Sequence, residues 1–292
     1  MKDIVYPVLK QRVNESGGTR GALVVPTVAV QLIDVRVADL LLIVLCEEEK
    51  NDSGLSTYVV DTWKVKEVHV QATHLEKELL IGGREDLIPC FLYGEILVDP
   101  NQYLEAICTT LRDLPPIWKE KKMCIEYANV LEGYLATQVH LNSGYLMDAF
   151  ATIQEGLQHW GRLVIIEAGG YPEISLWRQV KPVEPALYKL NYELIHGNDS
   201  IEKRIRLVLL ATEYSMISKL KNYTSFLLEL MRDERGTWSI EKLSYRLAME
   251  QMTMDPTLLI EELVKRSVLE EVVLWEHNRA HHRYRYISET FS

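Results

Sequence analysis

The sequence predicts an α+β protein, and three successive textures predict it. Short segments rich in Val, Ile and Leu alternate with helical pieces as far as about Asp113, and apolar residues then recur at helical spacing to about Arg232. From Asp233 onward short helices mix with two β-like runs. With 292 residues, 47% of them hydrophobic, the chain is long enough for more than one packed core.

The apolar positions Ile4, Val5, Val8, Leu9 and Val13 share one helical face, and Gly17-Gly18 ends that helix. Strands are expected over 22–25, 40–45, 57–60, 65–72 and 96–98. The run 40–45 lacks polar alternation and reads as a central strand covered on both faces. Residues 65–72 alternate instead, so one face of that strand, carrying Glu67 and His69, should be wet. Pro115-Pro116 marks a boundary, since neither proline fits inside a helix.

Beyond it, Cys124, Tyr127, Leu131 and Tyr134 form one helical stripe. Leu146, Ala149, Ile153, Leu157, Trp160 and Val164 form a second, and Ile201, Ile205, Val208, Thr212 and Met216 a third. These make an antiparallel bundle. Asp199 with Glu202 reads as a capping box for the third helix, Gly169-Gly170 as the stop of the second, and Pro182 and Pro185 as punctuation of a short connection. In the last region, helices over 226–231, 240–247 and 257–267, the last opened by Asp255-Pro256, precede strands over 268–275 and 283–287 around a polar tip at 277–282. That is the element order of a winged helix-turn-helix. The expected domains are 1–114, 115–232 and 233–292.

The chain carries 32 Lys and Arg against 42 Asp and Glu, a net charge of −10, which excludes a protein whose whole surface tracks phosphates. Four cysteines without CxxC spacing point to reduced thiols rather than a disulfide framework. The longest apolar run, Leu40–Cys46, is far short of the roughly 20 residues needed to cross a bilayer, and the first residues lack a signal-peptide layout. A cytoplasmic protein without membrane contact is expected.

A helix, a strand, a turn, and a second strand that starts with Asp39 and runs into Leu-Leu-Leu-Ile-Val resemble the nucleotidyltransferase fold of polymerase-beta-type and aminoglycoside nucleotidyltransferases. Tyr-Gly-Glu-Ile-Leu-Val-Asp-Pro-Asn at 93–101, followed by the helical 103–111, resembles the last strand and exit helix of that fold. The whole chain, including Tyr-Leu-Met-Asp-Ala at 145–149 and Trp-Arg-Gln-Val-Lys-Pro at 177–182, is similar to a bacterial nucleotidyltransferase-like family. That family joins such a domain to a helical substrate-binding-like domain and a terminal winged helix.

The resemblance implies transfer of a nucleotidyl group from an NTP, assisted by Mg²⁺, to an acceptor held by the helical domain. Active relatives place two acids, separated by one residue, on one strand and a third on its neighbour, with a Gly-Ser turn near the triphosphate. Here Asp39 matches one acid, but Val37 stands where its partner belongs. Asp34 is a substitute metal ligand, Glu67 or His69 the third-strand group, and Thr27, after Pro26 in place of Gly-Ser, the remaining phosphate contact. The glycine-rich 16–21 stretch precedes the strand and reads as a helix-to-strand loop. In the bundle, Tyr145, Asp148 and His159 are pocket candidates, although His159 also suits a core edge.

These departures support an alternative: a catalytically inactive binding or regulatory module that works through its helical and winged helix domains. His277, Arg279, His281, His282, Arg283 and Arg285 make the wing locally basic, which suits DNA contact. The helix over 257–267, with Glu261 and Glu262 beside Lys265 and Arg266, is nearly neutral, which weighs against base reading and favours a protein-docking or dimerising wing. Exposed aromatics in the tail, Trp238, Trp275, Tyr284 and Tyr286, suit a homodimer.

Overall fold

The computed structural model describes residues 2–15, 17–27, 38–47, 55–81, 84–173, 175–233, 236–276 and 279–287. The chain divides into two compact units, Met1–Pro115 with Glu173–Ser175, and Pro116–Pro172 with Leu176–Ser292.

The first unit runs α1 (Lys2–Glu15), β1 (Thr19–Pro26), β2 (Leu40–Cys46), β3 (Leu55–Val60), β4 (Trp63–Gln71), α2 (Leu75–Ile81), α3 (Ile88–Tyr93), β5 (Glu95–Val98) and α4 (Tyr103–Asp113). Its mixed sheet has the order β3-β4-β2-β1-β5, with β2 and β4 parallel and the other neighbours antiparallel. All seven residues of β2 are buried, as expected of a central strand without alternation. On one face, Val5, Leu9 and Val13 of α1 pack over Ala22, Val24, Leu40, Leu42, Val44, Cys46 and Val65. On the other side α3 and α4 lie against β1. Only two residues, Asp61 and Thr62, join β3 to β4, and Asp61 takes a left-handed φ of 56° to make so tight a return.

The second unit comprises α5 (Pro116–Asn142), α6 (Leu146–Glu167), α7 (Leu176–Val183), α8 (Pro185–His196), α9 (Ile201–Tyr223), α10 (Ser225–Asp233), α11 (Ile240–Met249), α12 (Thr257–Lys265), β6 (Leu269–Glu276) and β7 (Arg279–Tyr286). Pro116 opens α5. The long helices α5 and α6 come closest at two glycines. A Cβ added to Gly133 would sit 3.0 Å from Cα of Gly156, and beside that contact Oγ1 of Thr137 and Oγ1 of Thr152 are 3.0 Å apart.

Two hydrophobic clusters fill the unit. One joins α6 to α7, α8 and the first half of α9. The other runs from Met123, Tyr127 and Leu131 of α5 through Leu227 and Met231 of α10 to Trp238, Leu243, Leu263 and Leu269.

Several local expectations are corrected. The cap of α9 is Ser200, whose hydroxyl accepts from the Lys203 amide at 3.4 Å; Asp199 pairs with the Lys203 ammonium and Glu202 with Arg206. Pro182 lies inside α7, not in a connection. Asp255 does serve α12: its Oδ1 accepts from the amide and the hydroxyl of Thr257, and those bonds hold its carboxyl below the ordinary range. The second terminal strand begins at Arg279, so His281 and His282 belong to β7, paired with Leu274 and Val273. Trp238, expected at the surface, is buried. Its amide and carbonyl pair with Tyr284, and its indole N–H donates to the Met231 carbonyl at 3.1 Å. Tyr284 and Tyr286 pack against the same core, whereas Trp275 is 74% exposed. Among the described residues, no helix is long and apolar enough to cross a membrane.

At the α5–α6 crossing a side chain on Gly133 would press on the backbone of Gly156. Gly133→Leu, despite leucine's better helix propensity, is expected to cost about 1–3 kcal/mol in urea unfolding, because the clash is with backbone that must move.

Candidate functional site

The end of β1 and the start of β2 form a hydrogen-bonded staple. The Thr27 amide donates to the Asp39 carbonyl at 3.0 Å, and the Thr27 hydroxyl donates to the carbonyls of Ala38 and Asp39 at 2.7 and 3.1 Å. Asp39 is exposed, and it continues the ladder toward β4. Its amide donates to the Lys64 carbonyl and its Oδ2 accepts from the Lys64 amide, both at 2.8 Å. Both residues expected at this turn therefore meet there, with their polar groups engaged by backbone. Asp34 and Val37 lie outside the described residues.

Glu67 and His69 take another course. Glu67 pairs in register with Leu42 and His69 with Val44, so both share the face covered by α1. The face expected to be wet is covered: Glu67 is 6% exposed. A buried carboxylate is costly unless its lone pairs are filled, and here three donors from three elements fill them. Arg12 Nε of α1 donates to Oε2 at 2.8 Å, the Tyr58 hydroxyl of β3 donates to Oε2 at 2.7 Å, and His69 Nε2 of β4 lies 2.7 Å from Oε1. The Arg12 guanidinium also stacks 4.3 Å from the Tyr58 ring centre. Burial pushes the Glu67 carboxyl up, but the bonds from Arg12, Tyr58 and His69 outweigh it and hold the group below the ordinary carboxylate value. Burial, followed by the bond to Glu67, pushes the Tyr58 phenol well above its usual range.

Magnesium chemistry needs convergent carboxylates. Among the described residues, no group of three His, Cys, Asp or Glu side chains is placed to hold a metal ion. Arg12, Tyr58 and Cys46, whose Sγ lies 3.2 Å from His69 Nδ1, were not singled out from the sequence. Alternation in 65–72 signals one special face, but nothing in it says which helix covers that face.

In the second unit, Tyr145 and Asp148 are exposed near the start of α6. His159 is separate from them: its Nδ1 lies 2.7 Å from Oε2 of buried Glu126 on α5. In the terminal strand pair the basic residues meet acids across the ladder, Arg285 with Glu270 at 2.8 Å and His282 with Glu271 at 2.6 Å.

Because the folded-state pKa of Glu67 is depressed, its ionisation stabilises the fold above about pH 4.3, the ordinary Glu value, and that contribution is lost as pH falls through the folded-state value. Glu67→Gln is expected to lower stability at pH 7 by about 1–3 kcal/mol. The gap between wild type and variant should close in urea titrations toward pH 3, and a gap independent of pH would contradict the ion-pair account.

Residues 1–119 match the family model described as nucleotidyltransferase-like, and residues 120–219 match the YgxA-like substrate binding domain. Over 231 residues the chain is 25% identical to the uncharacterized protein YgxA of Bacillus subtilis (strain 168), which covers 79% of this chain and 78% of that protein. A crystal structure of a nucleotidyltransferase-like protein from Exiguobacterium sibiricum 255-15 superposes with a TM-score of 0.76 and 21% identity, over 98% of each chain. The fold is thus nucleotidyltransferase-like, with a helical region that matches a substrate-binding domain.

Proposed function

We propose that this protein is a binding module built on a nucleotidyltransferase-like scaffold, which takes a small ligand through its helical domain and does not transfer nucleotidyl groups. The observation that carries this reading is the engagement of Glu67. The group available as a third acid spends its oxygens on Arg12, Tyr58 and His69, while Val37 replaces the first acid. One specific observation favours the transfer reading instead. The exposed Asp39 and the half-buried Thr27 bracket the stretch that carries Asp34, so a metal site would have to be completed from residues 28–37.

The terminal region supports a winged helix reading through its element order and through the pairing of Trp238 with Tyr284, an isolated bridge beside the β6–β7 pair. Cross-strand neutralisation of Arg285 and His282 favours a protein partner over a phosphate backbone.

Incubating the full-length protein with Mg²⁺ and each of the four ribonucleoside triphosphates, with and without candidate hydroxyl acceptors, should release no pyrophosphate above background. Release that disappears in Asp39→Asn would overturn the binding-module reading and establish transfer.

A further inference from the structure

Cys46 ends β2, at the opposite end of that strand from Asp39, and is 4% exposed. Its Sγ lies 3.2 Å from Nδ1 of His69, whose Nε2 lies 2.7 Å from Oε1 of Glu67. Arg12 and Tyr58 keep Glu67 a carboxylate, so it accepts and the imidazole proton sits on Nε2. That tautomer turns the lone pair of Nδ1 toward the thiol. A second acceptor near Sγ, the Val44 carbonyl, is farther off at 3.9 Å. Among the described residues, the charged and titratable groups facing the relay include Arg12 from α1, Tyr58 from β3 and Glu67 from β4.

The other cysteines lie in different surroundings. Burial pushes the thiols of Cys90 and Cys124 up to about 12, and it raises that of Cys108, whose Sγ donates to the Phe91 carbonyl. A thiol facing a base that a carboxylate orients is the arrangement that activates cysteine nucleophiles.

We propose that Cys46, His69 and Glu67 form a peroxide-reactive thiol site, with Cys46 as nucleophile, His69 as base and Glu67 as positioning residue. In the reaction the thiol proton passes to Nδ1 and sulfur attacks one oxygen of hydrogen peroxide. An S–O bond forms, the O–O bond breaks, and the departing hydroxide takes the proton from Nδ1 and leaves as water. Sulfur is oxidised by two electrons to sulfenic acid, and the peroxide is reduced. With Cys46 4% exposed and the His69 side chain 15%, the partner that suits this thiol is a small oxidant rather than a bulky disulfide. The proposal does not depend on whether the protein transfers nucleotides.

Full-length protein is treated with hydrogen peroxide at about pH 7, near the ordinary imidazole value, trapped with dimedone, and mapped by peptide mass spectrometry. Cys46 should be labelled at least about tenfold more than Cys90, Cys108 or Cys124, the adduct should vanish in Cys46→Ser, and labelling should fall about tenfold in His69→Gln. Oxidised glutathione should leave Cys46 unmodified. Equal labelling of the four cysteines, or undiminished labelling in a His69→Gln protein with wild-type circular dichroism, would overturn the proposal. Should that variant misfold, the wild-type pH profile decides. A His-assisted thiol keeps a nearly level rate from about pH 8.5 to 7, whereas an unassisted one loses more than about tenfold over that interval, and the latter slope overturns the proposal.

Discussion

The carboxylate of Glu67, buried between a helix and a sheet, is the constraint on which the first unit depends. Its charge is sustained only if α1, β3 and β4 each deliver a donor to the same place: Arg12, Tyr58 and His69. The arrangement therefore fixes the rotation of α1 over the sheet. It also fixes the register of the β3–β4 hairpin, since a slip of one residue would turn Tyr58 to the opposite face. Hydrophobic burial of Val5, Leu9 and Val13 against β2 supplies attraction without direction. The ionic cluster supplies direction.

The second unit is organised by closeness rather than by charge. Without side chains at Gly133 and Gly156, α5 and α6 approach until backbone meets backbone, and the paired hydroxyls of Thr137 and Thr152 fill the seam. Bringing the two helices together this way leaves the far side of α5 for Leu227, Trp238 and Leu263, so the terminal helices complete a core begun more than a hundred residues earlier. Lys121 reinforces that side: its ammonium donates to the carboxylate and the carbonyl of Glu250 and lies near the rings of Trp118 and Phe226.

Much of the fold was legible because its signals are local. The unbroken apolar run at Leu40–Cys46 could only be a covered strand, and Gly169, with φ of 84°, stops α6 as its sequence position implies. What escaped sequence reasoning depends on residues far apart in the chain. Arg12 and Glu67 are 55 residues apart, and the alternation of β4 is equally consistent with a wet face or with one that meets a helix. Trp238 read as exposed because nothing near it reveals that Tyr284 will pair with its backbone. At the candidate site, Asp39 and Thr27 were found by their place beside β2. Their engagement with the backbone of Lys64 and Ala38 was not legible, because turn hydroxyls and strand-entry acids look the same in sequence whether they face a ligand or their own chain.

The staple between Thr27 and Asp39 has an evolutionary consequence. It clamps the two strand ends by contacts made by Thr27, Ala38 and Asp39 themselves. Because the entropic cost of closing a chain segment grows by only about 0.6 kcal/mol for each doubling of its length, a change in the length of chain between these anchors costs little in closure entropy. New specificities can accumulate there while the framework that carries them stays intact.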